Sequence, residues 1–178
     1  DFTPDATRNL GAHTKILRNR YVFFWRWAMD RVFGTPQSSP GVVAFITSSA
    51  WLRGPVFETM RSYLRDGNHV WVVDLGGDLK NNVPGDENVF SQITTATTIC
   101  IVSKAPHLDQ GQLRYKSLTG SRQSKFDWLN ENELFNSSWL VLDIAPKAPI
   151  TEAKSSESSF ISETTSSFNG SGLALFTL

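Results

Sequence analysis

The chain has 178 residues, 40% of them hydrophobic and 19% charged, a composition typical of a globular protein rather than a disordered one. Lys plus Arg and Asp plus Glu both number 17, so the net charge excludes no class of partner and indicates none. No apolar run approaches the ~20 residues of a membrane-spanning helix, and the first residues lack the pattern of a signal peptide.

The first predicted elements are a helix and a strand. Apolar and aromatic residues recur at helical spacing from Leu17 to Val32, and Gly34 follows as a stop. The continuous apolar run from Val42 to Thr47 predicts a strand that is buried on both faces in a parallel sheet. Nothing before this strand is apolar enough to pair with it, so we expect one of its edges to lack a partner.

A second helix is predicted to begin at Pro55, since proline suits the first turn of a helix. Phe57, Met60 and Leu64 supply its apolar stripe, and it ends before Asp66-Gly67-Asn68. This helix separates two strands, which is the pattern of a doubly wound α/β fold.

Two more strands follow, from His69 to Leu75 and from Thr97 to Ser103, with a tight turn predicted at Gly76-Gly77. Because no helix is predicted between them, we expect an antiparallel pair. The single cysteine, Cys100, lies in the second of these strands and cannot form an internal disulfide. A buried free thiol favours a reducing compartment, and we therefore expect a cytoplasmic protein.

Beyond Lys104 the pattern becomes irregular, and the Ser/Thr-rich stretch from Thr151 to Gly172 is predicted to be a linker or a mobile arm. Between Lys104 and Lys125 five basic residues face a single acid, Asp109. They are Lys104, Arg114, Lys116, Arg122 and Lys125. This cluster is either a site for DNA phosphates or a solvated surface loop.

Polar and aromatic residues end the first two strands, at the side where open α/β sheets bind ligands. Ser48 and Trp51 follow the first strand, and Asp74 ends the second. For Trp51 we favour shielding of the core beneath the pocket over contact with a ligand, and for Asp74 we favour hydrogen bonds from backbone amides over a place in the cleft. The three histidines lack the spacing of metal ligands, and no Gly-x-Ser-x-Gly motif is present, so we predict no metal site and no serine nucleophile.

The order of four segments resembles that of the DNA adenine methyltransferases, above all those within large single-chain restriction-modification enzymes. The segments are "RYVFFWRWAMDRV", "GVVAFITSSAWLRGPVFETMRSYL", "VWVVDLGGDLK" and "DENVF" followed by "TTICIVSK". The resemblance covers Arg18 to Lys104. It implies that residues 1–104 form the C-terminal half of a doubly wound, S-adenosylmethionine-dependent methyltransferase sheet, and that residues 105–178 lead into a target recognition domain.

The same resemblance implies methyl transfer to N6 of adenine in double-stranded DNA. Phe90 in "DENVF" matches the aromatic residue that holds the flipped base, and Ser48 and Trp51 would complete this base pocket. The family's Gly-rich cofactor loop and Asn-Pro-Pro-Tyr segment, which supply cofactor binding and catalysis, are absent from this sequence. We therefore assign no catalytic residue and expect the chain alone to be inactive. Its expected partner is the missing N-terminal half of the catalytic domain. In some relatives a nuclease or helicase is attached to the same polypeptide.

Two alternatives stay open at this point. The first is a non-catalytic α/β module that docks onto a partner or binds DNA, using the exposed edge of its sheet. The second is a small α/β enzyme whose site the sequence does not reveal. For Asp86, Glu87 and Asn88, which precede Phe90, we favour capping of the local turn over contact with DNA.

Overall fold

The computed structural model describes residue 2 and residues 13–34, 40–80, 83–104, 111–135 and 138–152. Its strands are β1 (Gly41–Ser48), β2 (His69–Gly76), β3 (Thr97–Lys104), β4 (Leu113–Ser117) and β5 (Leu140–Val141). Its helices are α1 (Arg20–Phe33), α2 (Ala50–Arg53), α3 (Glu58–Arg65) and α4 (Arg122–Glu131). The predicted α/β class is confirmed, whereas nearly all of the Ser/Thr-rich stretch lies outside the described residues.

The five strands form one mixed sheet in the order β1-β3-β2-β4-β5. β3 runs antiparallel to both β1 and β2, which confirms the antiparallel pairing predicted for the second and third strands. β4 runs parallel to β2, and β5 runs antiparallel to β4. Strands β1, β2 and β4 therefore end at the same side of the sheet, which we call the carboxyl edge.

Strand β1 lies at one end of this sheet and pairs only with β3 within the described residues. The predicted burial of β1 on both faces is wrong. Val43 packs into the core beside α1, but Ile46, on the opposite face, is 55% exposed. A continuous apolar run is compatible with a two-sided core, yet it does not show what covers the second face.

Helix α1 begins at Arg20, three residues later than predicted, because a 3-10 segment precedes it. It ends at Gly34 as predicted, where the glycine N–H donates to the carbonyl of Asp30. Trp25 is fully buried in the core, whereas Phe23 and Trp27 are 62% and 52% exposed. The helix thus has a second aromatic face that no described residue covers.

Helix α3 and the 3-10 turn before it bury the predicted stripe of Phe57, Met60 and Leu64. With α1 they cover one face of the sheet, which contributes Val72 and the buried Cys100 to the same core. Burial without any charged partner raises the pKa of the Cys100 thiol, so the sulfur is an inert packing group, as the sequence predicted.

The other face of the sheet carries a smaller core under α4. Val73 and Leu75 from β2 pack there with Leu118 and with Trp128 of α4. This layer lies within the region predicted to be irregular, so β4, α4 and β5 are elements that the sequence pattern did not reveal. The sheet begun by β1–β3 thus continues past Lys104.

Candidate functional site

The carboxyl edge brings together the polar residues that end β1 and β2. Ser48 pairs with Thr97 and Asp74 pairs with Thr98, so the two strand ends lie in adjacent rows on either side of β3. Open α/β sheets bind their ligands at this edge, outside the carboxyl ends of the strands. The predicted neighbourhood of Ser48 and Asp74 is therefore present in the fold.

Ser48 and Trp51 mainly shape the backbone and the core at this edge. The Ser48 hydroxyl is half-buried and accepts a hydrogen bond of 3.3 Å from the N–H of Ala50, at the start of α2. Trp51 is fully buried, and its indole N–H donates to the hydroxyl of Thr47 at 3.2 Å. Trp51 thus lies beneath the edge, where it packs and presents no ring surface to a ligand.

Asp74 is bound by side chains as well as by an amide. One carboxylate oxygen accepts hydrogen bonds from Arg53 at 2.5 Å and from the Tyr115 hydroxyl at 3.1 Å. The other accepts from the N–H of Gly76 at 3.2 Å. Burial and the neighbouring Asp74 both raise the pKa of Tyr115, which therefore stays protonated as a donor.

Arg53 was missed by sequence reasoning, although half of its side chain is exposed at the carboxyl edge. Partial burial lowers its pKa, but the charge and hydrogen bond of Asp74 raise it more, so the guanidinium stays charged. No local signal links the two residues, because they are 21 positions apart and α2 has only four residues.

The loop from Gly77 to Ala96 joins β2 to β3, and the chain enters it through two glycines of positive φ, 58° at Gly76, the last residue of β2, and 75° at Gly77. A side chain at Gly77 would meet the backbone of Asn88 at 2.4 Å, so the close approach requires glycine there. This confirms the predicted tight turn. We call the segment from Gly77 to Ala96 the β2–β3 loop.

Asp86 and Asn88 of the acidic segment organise the β2–β3 loop, as predicted, whereas the Glu87 carboxylate accepts a hydrogen bond from the N–H of Arg122 in α4. Asp86 accepts hydrogen bonds from the N–H groups of Gly77 and Gly120, at 2.7 and 3.1 Å. The Asn88 amide donates to the carbonyls of Gly77 and Thr95, and its oxygen accepts from the N–H of Phe90. These bonds fix the backbone on both sides of the aromatic residue.

Phe90 itself is 44% exposed, and it lies on this loop among other apolar side chains. Leu79, Val83 and Ile93 of the same loop are 54%, 54% and 42% exposed. Large apolar side chains are more often buried, so these four add accessible apolar surface to the described part of the loop. Phe90 is the only aromatic member of this group.

Lys125, one of the predicted phosphate contacts, is instead a buried structural residue. It is 1% exposed, and its ammonium donates to the carbonyls of Leu75 and Glu87 and to the carboxylate of Asp86, at 2.7, 2.5 and 2.6 Å. Its three N–H groups are all used in this way. Lys125 therefore presents no charge to a phosphate in this structure.

The other four basic residues do not form one patch. Lys104 ends β3 and pairs with Gly41, so it lies at the opposite edge of the sheet from Ser48. Arg114 is 9% exposed, with its guanidinium carbon 5.3 Å from the ring centre of Trp71. The cluster is thus continuous in sequence but divided in space.

Two of the basic residues lie beside α4. The Lys116 nitrogen is 5.8 Å from the ring centre of Trp128, and Arg122 donates from Nε to the carbonyl of Asn88 at 2.9 Å. Both are half-buried, so part of each side chain remains accessible. Arg122 and Lys116 are the members of the predicted set that keep exposed surface on the α4 side of the sheet.

The described residues contain no group of three or more His, Cys, Asp or Glu side chains placed to hold a metal ion. Among the same residues, no helix combines the length and the apolar character needed to cross a bilayer. The side chains described at the carboxyl edge include the Arg53–Asp74–Tyr115 group and the exposed ring of Phe90.

No protein-family model and no curated protein matches the chain. Solved structures do match it. The cryo-EM structure of the DrdV–DNA complex aligns with 74% of this chain at 21% identity and a TM-score of 0.61. A nuclease-deletion mutant of the Type ISP restriction-modification enzyme LlaGI, in complex with a DNA substrate mimic, aligns with 75% at 22% identity and a TM-score of 0.64.

A third match is the ATP-dependent Type ISP restriction-modification enzyme LlaBIII bound to DNA, over 65% of this chain at 25% identity and a TM-score of 0.54. The chain spans only 13%, 11% and 8% of the lengths of these three proteins. The similarity shows a shared fold, and two of the three matched structures are of restriction-modification enzymes.

Proposed function

We propose that this chain is part of a site-specific DNA methyltransferase of a restriction-modification system, which methylates N6 of adenine. The observation that carries the proposal is the Phe90 ring, accessible on an ordered loop at the carboxyl edge of a fold shared with DNA-bound restriction-modification enzymes. The order of sequence motifs supports the same function. In this role the protein would act in the cytoplasm on double-stranded DNA.

Phe90 would stack on the adenine that is taken out of the duplex. Removing a base from the stack costs a few kcal/mol, and stacking on an aromatic ring returns about 1–3 kcal/mol. Because the hydrogen bonds of Asn88 already order the backbone at Phe90, little further entropy is lost when the base arrives. The ring is thus suited to hold the base.

Cofactor binding is not explained by the described residues. They contain no Gly-rich turn between a strand and a following helix, since the turn at Gly76-Gly77 leads into the β2–β3 loop. S-adenosylmethionine, bound elsewhere in the enzyme, would supply the methyl group from its sulfonium. This chain would contribute positioning of the base and of the DNA.

Contacts to DNA phosphates would come from basic side chains that keep accessible surface. Arg122 and Lys116 are the remaining candidates of the predicted set beside α4, and Arg53 at the carboxyl edge joins them. Such contacts would fix the register of the duplex without reading its sequence. Arg53 is held in place by Asp74, so its outward N–H groups are already oriented.

The test is methyl transfer by the full polypeptide that contains this chain, with tritiated S-adenosylmethionine and unmethylated genomic DNA. Phe90→Ala should lower kcat/KM about 10- to 100-fold, the equivalent of one lost base stack. Phe126→Ala is the matched control, because Phe126 is 41% exposed on α4 and should leave transfer unchanged. Label found on any atom other than adenine N6, or equal effects of the two variants, would contradict the proposal.

A second candidate is a non-catalytic docking module. It is favoured by the unpaired side of β1 within the described residues and by the exposed Phe23 and Trp27 of α1. A module of this kind would bind a partner protein or DNA but would show no methyl transfer in the full polypeptide. The same assay therefore separates the two functions.

A further inference from the structure

Helix α4 and the β2–β3 loop are joined by a buried ion pair. Lys125 of α4 reaches the carboxylate of Asp86 at 2.6 Å, and the lysine and aspartate side chains are 0% and 8% exposed. The same ammonium also donates to the carbonyl of Glu87. One lysine thus binds two neighbouring residues of the loop, and its partners lie 39 and 38 positions earlier in the chain.

Further bonds connect the same two elements beside Lys125. The Glu87 carboxylate accepts a hydrogen bond of 2.7 Å from the N–H of Arg122, in the first turn of α4. Arg122 in turn donates to the carbonyl of Asn88, and Asn88 accepts from the N–H of Phe90. A continuous chain of hydrogen bonds therefore leads from the first turns of α4 to the backbone of the exposed aromatic residue.

Lys125 also binds the strand on which the loop begins. Its third bond, to the carbonyl of Leu75, reaches the end of β2. The ammonium therefore joins three elements: the end of β2, the turn at Asp86 and helix α4. The β2–β3 loop exposes four apolar side chains and has few buried ones, so polar bonds must hold most of it in place.

We propose that Lys125 is a positioning residue that fastens the β2–β3 loop to helix α4 and thereby holds Phe90 at the carboxyl edge. The inference rests on the proposed function for the part that concerns the base. A displacement of α4 would move Phe90, because Lys125 and the bonds of Arg122 beside it join the helix to the loop. The segment that carries α4 would thus be coupled to the base pocket.

Hydrogen exchange of the 178-residue chain tests the link directly. In Lys125→Met the amides of residues 83–96 should exchange at least about tenfold faster, while those of 70–75 and 98–103 change less than about threefold. Lys125→Met leaves the Asp86 carboxylate buried without its cation, and this unpaired charge could by itself unfold the chain. The double variant Asp86→Asn/Lys125→Met removes both charges and so tests the loss of the link without an unpaired buried charge. Unchanged exchange of 83–96 in the double variant would overturn the inference.

Lys116→Met is the control for the exchange experiment. Lys116 also approaches α4, through the ring of Trp128, but it makes no hydrogen bond to the described residues of the β2–β3 loop, 77–80 and 83–96. Its loss should leave the exchange of residues 83–96 unchanged. If it accelerates exchange as much as Lys125→Met does, general loosening of α4 explains the result and the specific link is wrong.

A double-mutant cycle in the full polypeptide tests the effect on the reaction. If Lys125 acts through Phe90, the kcat losses of Lys125→Met and Phe90→Ala should not multiply, whereas those of Lys125→Met and Phe126→Ala should. If the kcat losses of Lys125→Met and Phe90→Ala multiply in the double variant, Lys125 does not act through Phe90 and the positioning role is wrong, while the methyltransferase proposal is unaffected. Absence of methyl transfer by the unaltered polypeptide would instead overturn the proposed function, while the exchange experiment still decides whether Lys125 holds the loop.

Discussion

Asp86 is the carboxylate around which the β2–β3 loop is arranged. Burial alone would raise its pKa, but the hydrogen bond from Lys125 and the amides of Gly77 and Gly120 outweigh burial and hold the pKa below its usual range. A carboxyl group of this kind stabilises the fold above its unfolded-state pKa of about 4. The contribution is lost as the pH falls through the lower, folded-state pKa.

Asp86→Asn should therefore lower the free energy of unfolding by about 3 kcal/mol at pH 7, because Lys125 loses a buried partner. The difference from the unaltered chain should shrink as the pH falls below the unfolded-state pKa of about 4 and through the lower, folded-state pKa. Urea denaturation followed by fluorescence at several pH values measures both quantities.

The control for this pH series is Asp127→Asn. Asp127 is exposed on α4 and accepts a hydrogen bond from Gln123 of its own helix, so its replacement should change the free energy by less than about 0.5 kcal/mol. A difference between Asp86→Asn and the unaltered chain that stays constant down to about pH 2 would show that the Asp86 charge does not carry the stabilisation.

For single residues, the sequence predicts the chemistry of a side chain more reliably than it predicts which groups surround that side chain in the fold. Asp86 and Asn88 bind backbone groups of Gly77 in the same loop, as predicted, because this partner is close to them in the chain. The role of Lys125 could not be predicted, since a lysine in a basic stretch looks the same whether it meets solvent or a carboxylate 39 positions away. Its burial depends on how α4 packs on the sheet.

Among the elements, α3 anchors the last described segment of the chain through two arginines. Arg61 is 2% exposed and donates to the carbonyls of Trp51, Gly54 and Lys147. Burial lowers its pKa to about 10, so it remains charged at neutral pH. Arg65, one helical turn later, donates to carbonyls of residues 144–146.

Arg61→Met should lower the free energy of unfolding by about 3 kcal/mol, because the buried carbonyl of Trp51 and the partly buried carbonyls of Gly54 and Lys147 lose their charged donor. Arg65→Met is the matched comparison and should cost about 1 kcal/mol, since the carbonyls it binds are accessible to water. Urea denaturation of both variants measures the difference. Equal costs would mean that the bonds of Arg61 are no stronger than those at the surface.

Elements were predicted where an apolar pattern is long or continuous. Strands β2 and β3 were predicted to within one residue for this reason, whereas α3 begins at Glu58, three residues later than predicted, because residues 55–57 form a 3-10 turn. α2 and β4 were missed, because a four-residue helix and the segment "LRYKS" are too short to show a period. β4 is stabilised by its parallel pairing with β2, a tertiary interaction that no local pattern reveals.

At the scale of the whole molecule, the described sheet has one long side without a partner. β1 has eight residues and pairs only with β3 within the described ranges, and its Ile46 is more than half exposed. A long edge strand with exposed apolar side chains is a template for pairing with another chain. The exposed Phe23 and Trp27 of α1 add apolar surface to the same molecule.

We therefore expect the 178-residue chain alone to self-associate at protein concentrations of about 100 µM, through β1 and its neighbouring surface. Ile46→Lys should shift the sedimentation profile towards the monomer, because a charge on an edge strand opposes pairing with a second strand. Phe126→Lys removes an apolar side chain of similar exposure from α4, away from β1, and should leave the association unchanged. A monodisperse monomer of the unaltered chain at that concentration would show that the side of β1 is already protected.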